Sequence, residues 1–194
     1  MGLRDTEPIS DLVELIEGRA AVPVFLAPLP RGIAGLASRL DGRWYIVGDT
    51  NNPNAGRLRF TIAHELGHIL MGHEPAVDDD ETLGSRASHP HEVEANYFAA
   101  ELLVPRALVL DRLTGEANLE FVRTIAELAG TTLWVPFYRL KTLDILKPHE
   151  AMALQGAIQF ADTPSRTLDD IVGTFAGTKE TRIPETGLLN RLAR

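Results

Sequence analysis

The stretch "RFTIAHELGHIL", residues 59–70, constrains this chain more than any other. His64 and His68 stand four positions apart, with Glu65 directly after the first. On a helix that spacing projects both imidazoles from one face, about 40° apart in rotation and about 6 Å in rise, so both can aim at one ion. Glu65 sits beside them, close enough to hold an attacking water without being a ligand itself. That is why H-E-x-x-H recurs where a metal assists hydrolysis. A catalytic zinc needs a third protein ligand and one open position. The rest of the chain must therefore fold so as to deliver that ligand.

Three patterns could supply it. A glycine and a histidine farther along the same segment would do so, but Met71 and Glu74 occupy those places. Cysteine is absent from all 194 residues. What remains is an acidic residue on a later helix, and "HEVEAN", residues 91–96, offers Glu92 and Glu94. Two positions apart, they point about 200° away from each other and cannot both face the ion. The spacing favours Glu92. Asn96, one turn beyond it on the same face, is placed to hydrogen-bond a ligand histidine and set its tautomer. Glu94 is expected near the outer side of the helix.

Around these segments the pattern predicts an α+β fold. A short amphipathic helix is expected over residues 8–18, with Ser10 as N-cap, Leu12, Leu15 and Ile16 inward, and Gly18 ending it. Strand-like runs follow at 21–27, 32–40 and 43–49, and the Asp41-Gly42 pair marks a hairpin between the last two. A small N-terminal hairpin or three-stranded sheet is thus expected to pack on a mainly helical core. In the helix over 57–71, Phe60, Ala63, Gly67 and Leu70 follow the spacing of one buried face. Residues 72–90 read as a loop, and a second helix over 91–104 stops at Pro105. Two more helices are expected at about 117–129 and 132–145. The predicted organisation is a domain over 1–147 that carries the metal motif, its part 116–147 helix-turn-helix-like, and a C-terminal extension over 148–194. The extension's role is open, and a last helix is expected near 186–193.

Two blocks, "RFTIAHELGHIL" and "EVEANYFAAELLVP", resemble the ImmA/IrrE family of metallo-endopeptidases. These typically carry R-F-T-x-A-H-E-x-x-H and then E-x-E-A-N-x-F-A-A-x-L-L-M-P; Val104 stands where methionine is usual. The segment "FVRTIAELAGTTLWVPFYRLKTLDIL", residues 121–146, is similar to the family's following block. The resemblance spans about residues 10–147 and stops short of the extension. It implies one zinc ion, replaceable by manganese, held by His64, His68 and Glu92, with Glu65 as catalytic base. It also implies a gluzincin-like fold with the sheet over the metal helix, a packing that Gly67 suits. The implied substrate is a protein, typically a helix-turn-helix repressor of the Xre type, whose cleavage regulates transcription.

A group that stabilises the developing oxyanion is normally needed as well. Tyr97 and His73 are candidates for transition-state or substrate contact, as are His89 and His91. Their plainer reading is a partly buried helix aromatic and solvated loop histidines. Arg59 reads as an ion-pairing helix residue, and "DDDE", residues 78–81, as a solvated loop more than a cation site. The formal charge of −8 argues against nucleic acid or an anionic membrane as partner. Within 116–147, Glu116, Glu120, Glu127 and Asp144 balance Arg123, Arg139, Lys141 and Lys147, a poor phosphate-binding surface. The first eighteen residues lack the apolar core of a leader, and no run of 18 apolar residues occurs. With no cysteine, the expected location is the cytoplasm. The competing reading is a catalytically silent metallopeptidase-fold module that binds a regulator without cutting it.

Overall fold

Strand β1 (Val24–Ala27) and the hairpin β2 (Ile33–Leu40) and β3 (Arg43–Asp49) come from the three apolar runs. Asp41 and Gly42 close the hairpin with φ of 49° and 80°, the left-handed pair that a two-residue turn demands. The computed structural model describes residues 6–51, 54–73, 76–79 and 89–161. The helix expected near 186–193, most of the 148–194 extension, and Asp80 and Glu81 of the acidic run lie outside them.

A fourth strand, β4 (Ala76–Asp79), follows where a loop was expected, so the sheet has four strands rather than three, ordered β1-β3-β2-β4. β1 pairs with β3 in parallel, while β2 runs antiparallel to both β3 and β4. Two of the four residues of β4 are aspartates, so it offers no apolar run by which to reveal itself. Its register comes from β2, through Leu36 opposite Val77 and Ala37 opposite Ala76. Asp78 and Asp79 therefore belong to a strand and not to a loop.

The metal-motif helix, α2 (Ala55–Met71), lies between this sheet and helix α3 (Pro90–Leu103). It is consequently buried on both sides, and the expected single apolar face does not describe it. Thr61, Ile62, Ala63, His64, Glu65 and Leu66 are all buried in succession, whereas Leu70 is 57% exposed. Three glycines permit the close approach. A Cβ at Gly35 would stand 2.4 Å from Thr61 Cγ2, and one at Gly48 would stand 2.5 Å from Leu58 Cδ1, both on the sheet side. Gly67 serves the opposite side: its Cβ would meet Phe98 and the Ala95 backbone at 3.0 and 3.2 Å. It is thus α3, and not the sheet, that Gly67 admits.

Helices α4 (Arg106–Arg112), α5 (Leu119–Ala129), α6 (Trp134–Thr142) and α7 (Pro148–Gln159) complete the described fold. Pro105 ends α3 and also opens α4, a helix not foreseen. α5 and α6 lie in the segment expected to be helix-turn-helix-like and are joined through Gly130 at φ 65°. α7 contributes Leu154 and Ile158 to the main core, too sparse a stripe to read from periodicity. At the N-terminus, α1 (Leu12–Leu15) is capped by Asp11 rather than Ser10: the Asp11 carboxylate accepts the Glu14 N–H at 2.9 Å. The segment continues past Gly18 as a π-helical turn, Ile16–Ala20, ending at left-handed Ala21. The Arg59 guanidinium donates to the Ile9 carbonyl and ties this segment to α2. No helix among the described residues is long and apolar enough to cross a membrane.

Gly56, in the first turn of α2, faces backbone instead of a side chain: its Cβ would stand 2.7 Å from Thr131 C and 2.8 Å from Thr132 N. Backbone cannot swing aside. Gly56→Ala should therefore lower stability by about 1–3 kcal/mol, although alanine is the better helix former. A shift of the urea midpoint to lower concentration is the expected readout.

Candidate metal centre

The local causes of the site are two helix starts and one close crossing. Asn54 caps α2 by accepting the Arg57 N–H at 3.0 Å, and Pro90 opens α3 at a position where a missing N–H costs nothing. Where Gly67 meets Ala95, the two helices lie close enough for the Glu92 carboxylate to reach the imidazoles of α2.

His64 Nε2 and His68 Nε2 are 2.9 Å apart. Glu92 Oε2 lies 3.2 Å from His64 Nε2, and its Oε1 lies 3.4 Å from His68 Nε2. All three residues are buried. Among the described residues this is the one group of three that could hold a metal ion. The hydrogen bonding shows which atoms of the group are acceptors. Asn96 Oδ1 is an acceptor 3.0 Å from His64 Nδ1, so that nitrogen donates and Nε2 presents its lone pair. Glu92 Oε2 is buried and accepts no hydrogen bond from any described residue. Nitrogen and carboxylate acceptors drawn this close together, away from water, suit a divalent cation. The His, His, carboxylate set fits a metal ion site.

Glu65 is buried beside the group on the same helix. Strand β2 passes close to its carboxylate: a Cβ at Gly35 would stand 3.1 Å from Glu65 Oε1. Gly35 is a residue that sequence reasoning missed, its only signal being a glycine inside a strand pattern.

The remaining candidates fall in different places. His73 is buried rather than solvated, and lies behind His68 with Nδ1 2.9 Å from His68 Nδ1. Its Nε2 is 3.1 Å from Glu94 Oε2, so Glu94 has a definite partner despite its position on the outer side of α3. The sequence signal for His73 was Gly72. This glycine, at φ 73°, reverses the chain so that His73 N–H returns to the His68 carbonyl at 3.0 Å. Tyr97 is 52% exposed, and its ring lies under the Arg139 guanidinium at 5.6 Å. His91 stacks on His73 at 4.1 Å between ring centroids, and His89 lies edge-on to His91.

A four-stranded sheet, an H-E-x-x-H helix and a second helix bringing a buried carboxylate together define a metallopeptidase-like architecture. The chain belongs to the ImmA/IrrE family: the model of the IrrE N-terminal-like domain matches residues 21–141. The radiation response metalloprotease IrrE of Deinococcus deserti is 38% identical over 84 residues, 39% of this chain and 30% of that protein. That of Deinococcus radiodurans is 34% identical over 86 residues, 40% of this chain and 26% of its own length. The chain thus spans less than a third of these relatives. Among solved structures, a Mycobacterium tuberculosis transcriptional regulator superposes with a TM-score of 0.46 at 21% identity, covering 72% of this chain and 42% of its own.

Replacing His64 by alanine removes one of three converging donors and the partner of Asn96. The wild-type chain should take up one divalent ion and His64→Ala none, as read by elemental analysis after dialysis against zinc.

Proposed function

We propose that this chain is a cytoplasmic zinc endopeptidase that cuts one specific regulatory protein. The observation that carries the reading is the convergence of His64, His68 and Glu92 beside the buried Glu65. Zinc in that group would supply Lewis acidity, polarising the scissile carbonyl and acidifying the attacking water. Glu65, on the same helix and against β2, is the group that takes the proton from that water and returns it to the leaving amine. Asn96 holds the His64 ring so that Nε2 faces inward. Burial of the whole group keeps competing water away and strengthens its electrostatics.

The substrate class follows the family resemblance: a helix-turn-helix repressor of the Xre type, whose loss changes transcription. The acidic balance of the chain disfavours direct contact with DNA. The test is incubation with the regulator encoded nearby, with zinc supplied. One discrete cleavage, prevented by a chelator, is expected. Glu65→Gln should lower the rate by at least a hundredfold while zinc remains bound, since only the proton carrier is lost. Full activity in that variant would refute the assignment of the base. Tight binding of the regulator with no cleavage by the wild type would instead establish the silent-module reading.

A further inference from the structure

We propose that His73 and Glu94 form a buried-to-surface relay that positions His68 toward the metal, a role that rests on the zinc reading above. The hydrogen-bond chemistry leaves one assignment. When His68 Nε2, the nitrogen facing Glu92 and His64, serves as a ligand, its Nδ1 carries the proton. His73 Nδ1, 2.9 Å away, must then accept. Its own proton therefore sits on Nε2 and is donated to Glu94 Oε2 at 3.1 Å. Glu94 as a carboxylate can only accept, and its side chain is 58% exposed, so its charge is stabilised by water. The exposed carboxylate thus selects the tautomer of one buried ring, and that ring selects the tautomer of the next.

Two features make the relay a built arrangement. The first is the end of α2. Gly72 N–H bonds to the Ile69 carbonyl and His73 N–H to the His68 carbonyl, a Schellman closure, which brings the residue after the glycine back against the one five positions earlier. That contact is ordinarily hydrophobic; here it joins two imidazoles. The second is the stacking of His91 on His73, with 10° between the ring planes, which holds the His73 ring edge-on to both of its partners. His64 is served separately by Asn96, so each histidine of the group has its own orienting partner on α3 or at the end of α2.

The experiment measures zinc affinity by competition with a chelating dye and records the ring ¹⁵N and ¹H resonances of the zinc-loaded protein. His73→Phe keeps the stack on His91 and removes both hydrogen bonds. It should weaken zinc by roughly 10–100-fold and shift the Nδ1 proton of His68. Glu94→Ala, at an exposed helix position that alanine suits, should weaken zinc by roughly tenfold without unfolding the chain. Because the groups act in series, the double variant should be no weaker than His73→Phe alone. Wild-type affinity and an unshifted His68 proton in folded Glu94→Ala would overturn the relay, as would additive losses in the double variant. A wild-type chain that binds no zinc would overturn the zinc reading itself, so the two failures are distinguishable.

Discussion

Everything in this fold depends on how closely α2 and α3 cross. With Gly67 against the Ala95 backbone, the helices approach far enough for a carboxylate on one to meet two imidazoles on the other. A larger residue at either position would push the helices apart. Because liganding distances tolerate only a few tenths of an ångström, the site would lose its geometry before the core lost its packing. The same economy of volume recurs on the other flank of α2, where Gly35 and Gly48 let the sheet lie against it. The helix is held from two sides, and its polar residues are oriented by that confinement.

The converging group was readable because its members lie on two helices, where period turns numbering into direction. Position alone set Glu92 apart from Glu94, and the structure brings Glu92 to the histidines with Asn96 one turn on. The hairpin was readable for a comparable reason, since Asp41-Gly42 names its own turn. What escaped depends on contacts distant in sequence. β4 is a strand only because β2 offers an edge to pair with. Leu70 follows the helical spacing of the core yet is exposed, because a helix buried on both sides has no single inward stripe to extrapolate. His73 reads as a loop histidine because its burial comes from a backbone closure onto the His68 carbonyl, which leaves no apolar pattern in the sequence.

Family membership and local chemistry here support each other from different directions. The matched region, residues 21–141, begins just before the sheet and ends within α6, so it contains both helices of the site and the elements that press them together. Arg139 near its end shows how closely these parts are joined. This buried guanidinium pairs with Glu101, donates to the Val104 carbonyl at 3.1 Å and covers the ring of Tyr97. It thereby fastens the far end of α3 to α6.

Placing His64, Glu65, His68 and Glu92 inside the core also has a thermodynamic consequence. A buried charge burdens a fold unless it is matched, and a bound cation would match that of Glu92, whose Oε2 accepts no hydrogen bond from any described residue. Ion binding and folding are then linked: a ligand that binds only the folded chain adds about 2.7 kcal/mol at a hundred times its dissociation constant. For a small protein that is a substantial share of total stability. Withdrawing the ion would then cost the fold that share, so an emptied site would also be a more easily unfolded chain.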